Sequence, residues 1–587
     1  MGVGLRGFLM AIACAAGAAE AVAPKPLGEL TRFWRYRPVV DRWLVNRLGF
    51  ATVPAYLSDP ALSFPYRCRP AAEEIPFADH VTVVRLLGGW SPAWKNGERT
   101  AETPIEAYDL AYRDAEGAIR YRWHLLGPRL DPYAEAGYGL TIVLDNTPWC
   151  FPEEPDGRAM GQAAPPADFG EWGTFVQALC EQLVTRYGFE KANGWRFRMG
   201  TECQGTERFS GTQEQFHRLY DTSASAVRRV LPGAAFGPFN LAGEADEGNV
   251  RFYQLAAHRA GAWSPASDSA GPAFDFAPVS IYTAPSVHGG RLRTTDPEFK
   301  AGLKVAVWEG VAERFAQLGP FSREVHEFGI LRNEFRVGGG EPGARGAAWT
   351  FHMMASLLKG GLDRMWHWTV METVNVRERH KLLMGTGWLL SILEHAAGGD
   401  VYALEPEFET CAREGEMSPD LQAIAEFERP RSLETPGAQF VKSLAVVHPE
   451  RTFLITSVYN EDRFVTRPLE IRLTPPADLL PETGPYRVRQ TALTRRGSVY
   501  YRIRQDLQSA GRLTEEIAAV PGLLSRVKAM GGRAAWETVD EHWNRYETVI
   551  RDSLTLKPYG GTVERDRETV GFRFRAGTPS VTVLVVE

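Results

Sequence analysis

The sequence predicts an α/β fold: a (β/α)8 (TIM) barrel followed by a β-sandwich. Three observations carry this. Between residues 80 and 396, short β-branched runs alternate with stretches of helical periodicity, the order that builds a parallel sheet. Those runs end in polar, acidic or glycine residues, and the C-terminal strand ends are where such a barrel sets its chemistry. Past residue 396 the pattern becomes short alternating strands with turn signals, the signature of a sandwich. A chain of 587 residues has room for both. The expected division is a signal peptide over 1–21, a lead-in over 22–79 that can pair with the sandwich, the barrel over 80–396 and the sandwich over 397–587. Residues 504–550 interrupt the sandwich with helical periodicity.

The N-terminus has one Arg, a short run of apolar and small residues, then Ala19-Glu20-Ala21. This is the form of a secretory signal with an A-x-A cleavage site, so a secreted or periplasmic location is expected. Six cysteines are present, and cleavage would leave Cys68, Cys150, Cys180, Cys203 and Cys411, an odd set without a CxxC pair. Mostly free, buried thiols are expected. His80–Leu87 (HVTVVRLL) reads as the first barrel strand and ends at Gly88-Gly89-Trp90, which places Trp90 at the active face. Trp123 to Gly137 reads as a helix. Leu140–Asp145 is the third strand, and its end, Asp145-Asn146-Thr147-Pro148-Trp149, is polar and aromatic. Asp145, Asn146 and Trp149 are therefore substrate-contact candidates, with a helix cap or loop solvation the other role for Asp145.

Trp172 to Gly188 is helical (Phe175, Leu179, Leu183) and stops at Gly188. Trp195–Glu207 (WRFRMGTECQGTE) is the centre of the reading. Trp195, Phe197 and Met199 alternate with Arg196, Arg198 and Gly200, and the strand ends at Thr201-Glu202. Phe216–Leu231 is the next helix, closed by Pro232-Gly233. Phe274–Tyr282 is a strand. Pro297–Leu318 is helical, Arg323–Ile330 is a strand presenting Glu327, and Ala344–Gly360 is helical. Asp363–Val370 is the last barrel strand, with Trp366 and Trp368 near its end. Lys381–His395 reads as a helix.

Arg186-Tyr187-Gly188, Trp195-Arg196-Phe197, Glu202, Phe209-Ser210-Gly211-Thr212, Leu219-Tyr220 and Pro232 together resemble glycoside hydrolase family 39. The family has RYG before a WxFEVWNEP strand whose final Glu is the general acid/base. The resemblance covers about residues 80 to 370. It implies Glu202 as acid/base and Thr201 in the place of an Asn that holds the sugar. Arg198 stands where the family has Glu, Gly200 where it has Trp and Cys203 where it has Pro. Asp275, Phe276 and Tyr282 match the family's DFxSxHxY, with Pro278 and Ser280 as departures, and Tyr282 is implied to hydrogen-bond the nucleophile. Val325-His326-Glu327-Phe328 matches the nucleophile strand, so Glu327 is the implied nucleophile. Glu334 is the rival, and Glu324 falls on the opposite strand face from Glu327. Trp366 and Trp368 stand where the family has an aromatic wall.

Glycoside hydrolysis needs two carboxyl groups about one anomeric carbon, one protonated and one ionised, and two strand ends of a barrel supply them. The expected activity is retaining hydrolysis of an oligo- or polysaccharide. The alternative is a non-catalytic carbohydrate-binding protein on a degenerate barrel. Arg196 and Arg198 could meet an acidic sugar or pair with core carboxylates. No cofactor is expected: His326-Glu327 lacks the second His of HExxH, and no phosphate-binding glycine motif follows a strand. The net charge of −6 gives no reason to expect nucleic acid, and no apolar run is long enough to span a membrane.

Overall fold

A computed structural model describes residues 28–29, 34–35, 81–89, 109–135, 139–158, 161–243, 250–262, 271–283, 287–288, 291–292, 296–330, 343–367, 374–377, 380–383, 385–410, 439–460, 468–481, 485–511, 538, 540–565 and 569–587. The expected signal peptide, Trp90, Trp368, Glu334 and most of the 504–550 insertion lie outside these residues.

The first strands are β1 (Gly28–Glu29), β2 (Trp34–Arg35), β3 (Val81–Arg85), β4 (Gly139–Val143), β5 (Arg196–Arg198), β6 (Ala235–Gly237), β7 (Phe276–Thr283), β8 (Ser322–Ile330) and β9 (Arg364–His367). One sheet has the order β6-β5-β4-β3, and a second has β7-β8-β9-β2. Every pairing within them is parallel. A parallel bridge from Leu241 to Val279 joins the two sheets, and β2 lies beside β3. Strands β2 to β9 are thus neighbours in space in the order of the chain. Val81–Arg85 is the second of them, not the first as its sequence suggested. Two residues of β2 give too short a run for any period to show.

Parallel neighbours need long crossovers. Here these are built largely of helices: α1 (Leu126–Ala134), α2 (Phe169–Tyr187), α3 (Gln213–Val230), α4 (Val250–Ala262), α5 (Pro297–Arg314) and α6 (Ala344–Lys359), with α7 (Gly385–His395) following β9. Their limits follow from local chemistry. Asp168 caps α2 by accepting from the backbone N–H of Gly170 and Glu171, and Gly188 ends it at φ 85°. Thr212 and Gln215 form a reciprocal capping box at the start of α3. Lys381 does not start a helix. His380–Leu383 pairs antiparallel with Val374–Arg377, and α7 begins at Gly385.

The C-terminal strands are β10 (Asp400–Leu404), β11 (Glu407–Thr410), β12 (Gln439–His448), β13 (Arg451–Asn460), β14 (Leu469–Leu473), β15 (Val488–Thr494), β16 (Lys557–Pro558), β17 (Thr562–Arg565), β18 (Val570–Ala576) and β19 (Ser580–Val586). They make an antiparallel seven-stranded sheet, β1-β10-β12-β13-β19-β15-β16, and a four-stranded one, β11-β14-β18-β17. One apolar cluster draws Leu454 and Leu584 from the first and Ile471 and Phe572 from the second. The opposite face of the larger sheet joins the main core, where Ile455 and Val583 share a cluster with Phe351 of α6. The described ends of the insertion are α8 (Val499–Ser509) and α9 (Trp543–Leu554), which meet through Ile503 and Tyr546. No described helix is long and apolar enough to cross a membrane.

Candidate active site

Alternation along β5 sends Phe197 into the apolar core, while Arg196 and Arg198 share the opposite face. The chain then turns sharply. Gly200 has φ 79° and Glu202 has φ 51°. A Cβ on Gly200 would lie 2.5 Å from Cys203 Sγ, so this position accepts only glycine. Cys203 is buried beneath the turn, and burial pushes its thiol up to about 12, leaving it neutral packing.

On β8, an irregularity aims Glu327. Pro278 faces Glu324 and Val279 faces Val325, but Ser280 faces Glu327, so His326 is an extra residue. The pairing with β9 skips at the same place. Pro278 and Ser280 lie on one face of β7, so Glu324 and Glu327 lie on one face of β8. The expectation that these glutamates point to opposite faces fails because the bulge shifts the alternation by one.

Glu327 is buried. Its Oε2 accepts from the Tyr282 hydroxyl at 2.8 Å, while Oε1 has no hydrogen-bond partner among the described residues. Burial and the charge of Glu202 push the Glu327 carboxyl up to about 8, against the opposing pull of Arg198, the Tyr282 hydroxyl and Arg208. Glu202 is partly exposed, and Arg208 Nη2 lies 3.8 Å from its Oε2. The enclosed Glu327 carboxyl, under the charge of the more open Glu202, keeps a proton at neutral pH.

A polar network lies beneath the pair. Arg85 Nε donates to Asp145 Oδ1 at 2.9 Å, and its Nη2 to Asn146 Oδ1 at 2.5 Å. Burial works to raise the Asp145 carboxyl, but Arg85, the Thr201 hydroxyl and Arg198 outweigh it and hold it below the usual range. Arg198 Nη2 donates to Thr201 Oγ1 at 2.7 Å, Nε to the Gly200 carbonyl at 3.1 Å, and Nη1 meets His326 Nδ1 at 2.9 Å. His326 Nε2 meets Glu324 Oε2 at 2.7 Å, and Arg196 pairs with Oε1 of the same glutamate. Burial drives His326 down to about 3, so it is neutral, donates to Glu324 and accepts from Arg198. Arg196 and Arg198 therefore have partners inside the protein.

Of the residues singled out in the sequence, Glu202, Glu327, Thr201, Tyr282 and Asp145 come together here, with Asn146 on Arg85. Trp149 lies on the adjoining loop, where its backbone N–H donates to Asp109 Oδ2 and the Gly89 N–H donates to Oδ1. Trp366 is fully buried, 4.6 Å from the His326 ring, and presents no surface to the cleft. The sequence reading passed over Arg85, Asp109 and Arg208. Arg85 carried a signal, an arginine inside a β-branched run, whereas Asp109 and Arg208 carried none. Among the described residues no three His, Cys, Asp or Glu side chains are placed to hold a metal.

The sequence profile of glycosyl hydrolases family 39 matches residues 147–258, the stretch that carries Glu202. The α-1,4-L-rhamnosidase of Formosa agariphila is 32% identical over 174 residues, 28% of this chain and 34% of that one. Over this stretch the chain resembles glycoside hydrolase family 39. A β-xylosidase of Caldicellulosiruptor saccharolyticus is 32% identical to the family 39-like chain over 130 residues, 21% of this chain and 25% of the relative. The chain thus spans about a third or less of the length of these curated relatives. The crystal structure of a monomeric β-xylosidase from Caulobacter crescentus superposes over 97% of both chains with TM-score 0.56 at 15% identity. That of a bacterial orthologue of human α-L-iduronidase covers 97% of this chain and 82% of its own, with TM-score 0.53 at 12% identity. At these identities the likeness is one of fold.

Proposed function

We propose that this family 39-like chain is a retaining glycoside hydrolase that cleaves an oligo- or polysaccharide by double displacement. The two parallel sheets form a (β/α)8 barrel and the antiparallel sheets a β-sandwich beside it. One observation carries the reading: Glu202, in the turn after the fourth parallel strand, and Glu327, in the C-terminal half of the seventh, lie close enough for the charge of Glu202 to act on the buried Glu327 carboxyl. In the first step Glu327 attacks the anomeric carbon through Oε1 while Tyr282 holds Oε2. Glu202 gives its proton to the leaving oxygen, and a glycosyl ester forms on Glu327. In the second step Glu202 takes a proton from water, which attacks the anomeric carbon and frees Glu327.

Double displacement needs the proton on Glu202, whereas burial favours it on Glu327. A sugar between them resolves this. Positive charge develops beside Glu327 and negative charge beside the leaving oxygen, so the shared proton moves to Glu202. Asp145, Asn146, Thr201 and Trp149 surround the sugar site. The N-terminal signal directs the chain out of the cytoplasm, which fractionation of the native host checks.

The test uses an aryl glycoside that the wild type cleaves, found from a panel. E202Q lowers kcat/KM about 10²–10⁴-fold. A 2-fluoro glycoside leaves a covalent sugar on the peptide holding Glu327, read by mass spectrometry. First-formed product with inverted configuration overturns double displacement. Tight glycan binding without turnover, unchanged in E202Q and E327Q, would replace the reading with that of a binding protein.

A further inference from the structure

Strands β5 and β8 are not neighbours: β6 and β7 stand between them. No backbone ladder therefore fixes the distance from the turn bearing Glu202 to the bulge bearing Glu327. Two side chains of β5 cross that gap: Arg196 pairs with Glu324, and the fully buried Arg198 reaches the residues next to the two glutamates. Arg198 holds Thr201, the residue before Glu202, and His326, the residue before Glu327, at 2.7 and 2.9 Å, and its third contact is to the Gly200 carbonyl inside the same turn. Each end is anchored further. The Thr201 hydroxyl acts on the Asp145 carboxyl, which Arg85 holds, and His326 is held by Glu324, which Arg196 holds.

We propose that Arg198 is a positioning residue: a strut tying the Glu202 turn to the Glu327 bulge and setting the separation of the two carboxyl groups. This rests on the glycosidase reading of those glutamates. A planar guanidinium suits the task because its forked donors reach three acceptors in fixed directions, which an ammonium does not reproduce. The His326 bulge serves the same end. It lets His326 meet Arg198 and Glu327 meet Tyr282 from one face of one strand. Displacement of a reacting group by about 1 Å costs on the order of 10²-fold in rate, so a loosened strut should act on kcat.

The variants are R198M, which leaves no buried charge unpaired, R198K, and T201V, which cuts the strut at one end while keeping volume. The expected result for R198M is a fall in kcat of about 10²-fold with KM within about threefold, with R198K rescuing only part. The alkaline limb of the rate profile should also move to higher pH in R198M, since a cation beside Glu327 is gone. If R198M does not fold, T201V reports on the same strut through its carboxyl separation, since Thr201 also borders the sugar; its kcat is expected to fall with that of R198M. Folded R198M and T201V with wild-type kcat and an unmoved limb overturn the proposal. Crystal structures of wild type and variant separate this outcome from failure of the glycosidase reading, because they need no substrate. A carboxyl separation in R198M or T201V unchanged from wild type overturns the strut, and a changed one supports it even where no glycoside is cleaved.

Discussion

Two residues at the mouth of the strands work against the stability of the fold. Glu327 is the first. Its folded-state carboxyl stands at about 8, above its ordinary value of 4.5, so between these values the folded chain holds a proton that the unfolded chain has lost. Its contribution to stability is full below about 4.5 and is lost as pH rises through about 8. E327Q cannot ionise. It should therefore be more stable than the wild type by on the order of a few kcal/mol at pH 8 and little different at pH 4.5, measured by urea melts across that range. The same proton predicts a rate profile. kcat/KM should fall as pH rises through about 8, where the pair loses the proton the general acid needs, and a limb that stays flat to pH 10 would contradict this. Glu202 is the second, at φ 51°, a region that costs a non-glycine residue about 1–2 kcal/mol. E202G should be inactive yet more stable, or equal within error if the added freedom of the unfolded glycine cancels the gain. A clear destabilisation would mean that the glutamate is held by contacts worth more than the strain.

At the scale of elements, the reading of the sequence went furthest where one residue type decides a local event. Gly188 and Pro232 stop α2 and α3 by positive φ and a missing N–H, each within a residue or two of itself, whereas the caps Asp168 and Thr212 were passed over and start α2 and α3 three residues before the helices read from the sequence. The prediction here is ordinary and sharp: T212A removes one half of the α3 capping box and should cost about 1 kcal/mol by thermal melt, with kcat unchanged. The RYG stretch also proved structural. Arg186 Nε donates to Asp131 of α1 at 2.8 Å, and Tyr187 donates to the same carboxylate at 2.7 Å, so the motif locks the crossover helices α2 and α1 to each other. The bulge at His326 was not legible. A single extra residue leaves the hydrophobic run intact, and its effect appears only against the partner strand. Nor was the Arg198–His326 contact, since 128 positions separate its ends and nothing in either neighbourhood names the other. Glu202 past its strand, Glu327 on its strand and the Tyr282 hydroxyl on Glu327 could be read, but the bulge and the Arg198–His326 contact that aim them could not.

The whole molecule is held together across α6. Arg345 on that helix reaches Tyr459 Oη at 2.9 Å and the Asn460 carbonyl at 3.3 Å on β13, and its guanidinium lies over the Tyr459 ring at 5.0 Å. A buried charge-assisted bond of this kind contributes about 1.5–3 kcal/mol, so R345M should lower stability by that amount. If the two parts unfold as one, calorimetry of R345M should still show a single transition at lower temperature, whereas two resolved transitions would mark α6 as their main coupling. The N-terminal strands bear on the same question through time. β1 pairs with β10, and a few residues later β2 pairs with β9, so the earliest described residues find their partners only after more than half the chain has been made. Inside the large sheet, between β13 and β15, stands β19, the last strand described. During synthesis the segment bearing β1 and β2 must wait unpaired while the strands between accumulate, and the apolar faces of β12 and β13 must wait for β19. A ribosome stalled between the end of β9 and residue 580 would thus hold a nearly complete parallel sheet system with its C-terminal sheet still open, a state in which chaperone capture rather than catalysis governs the fate of the chain.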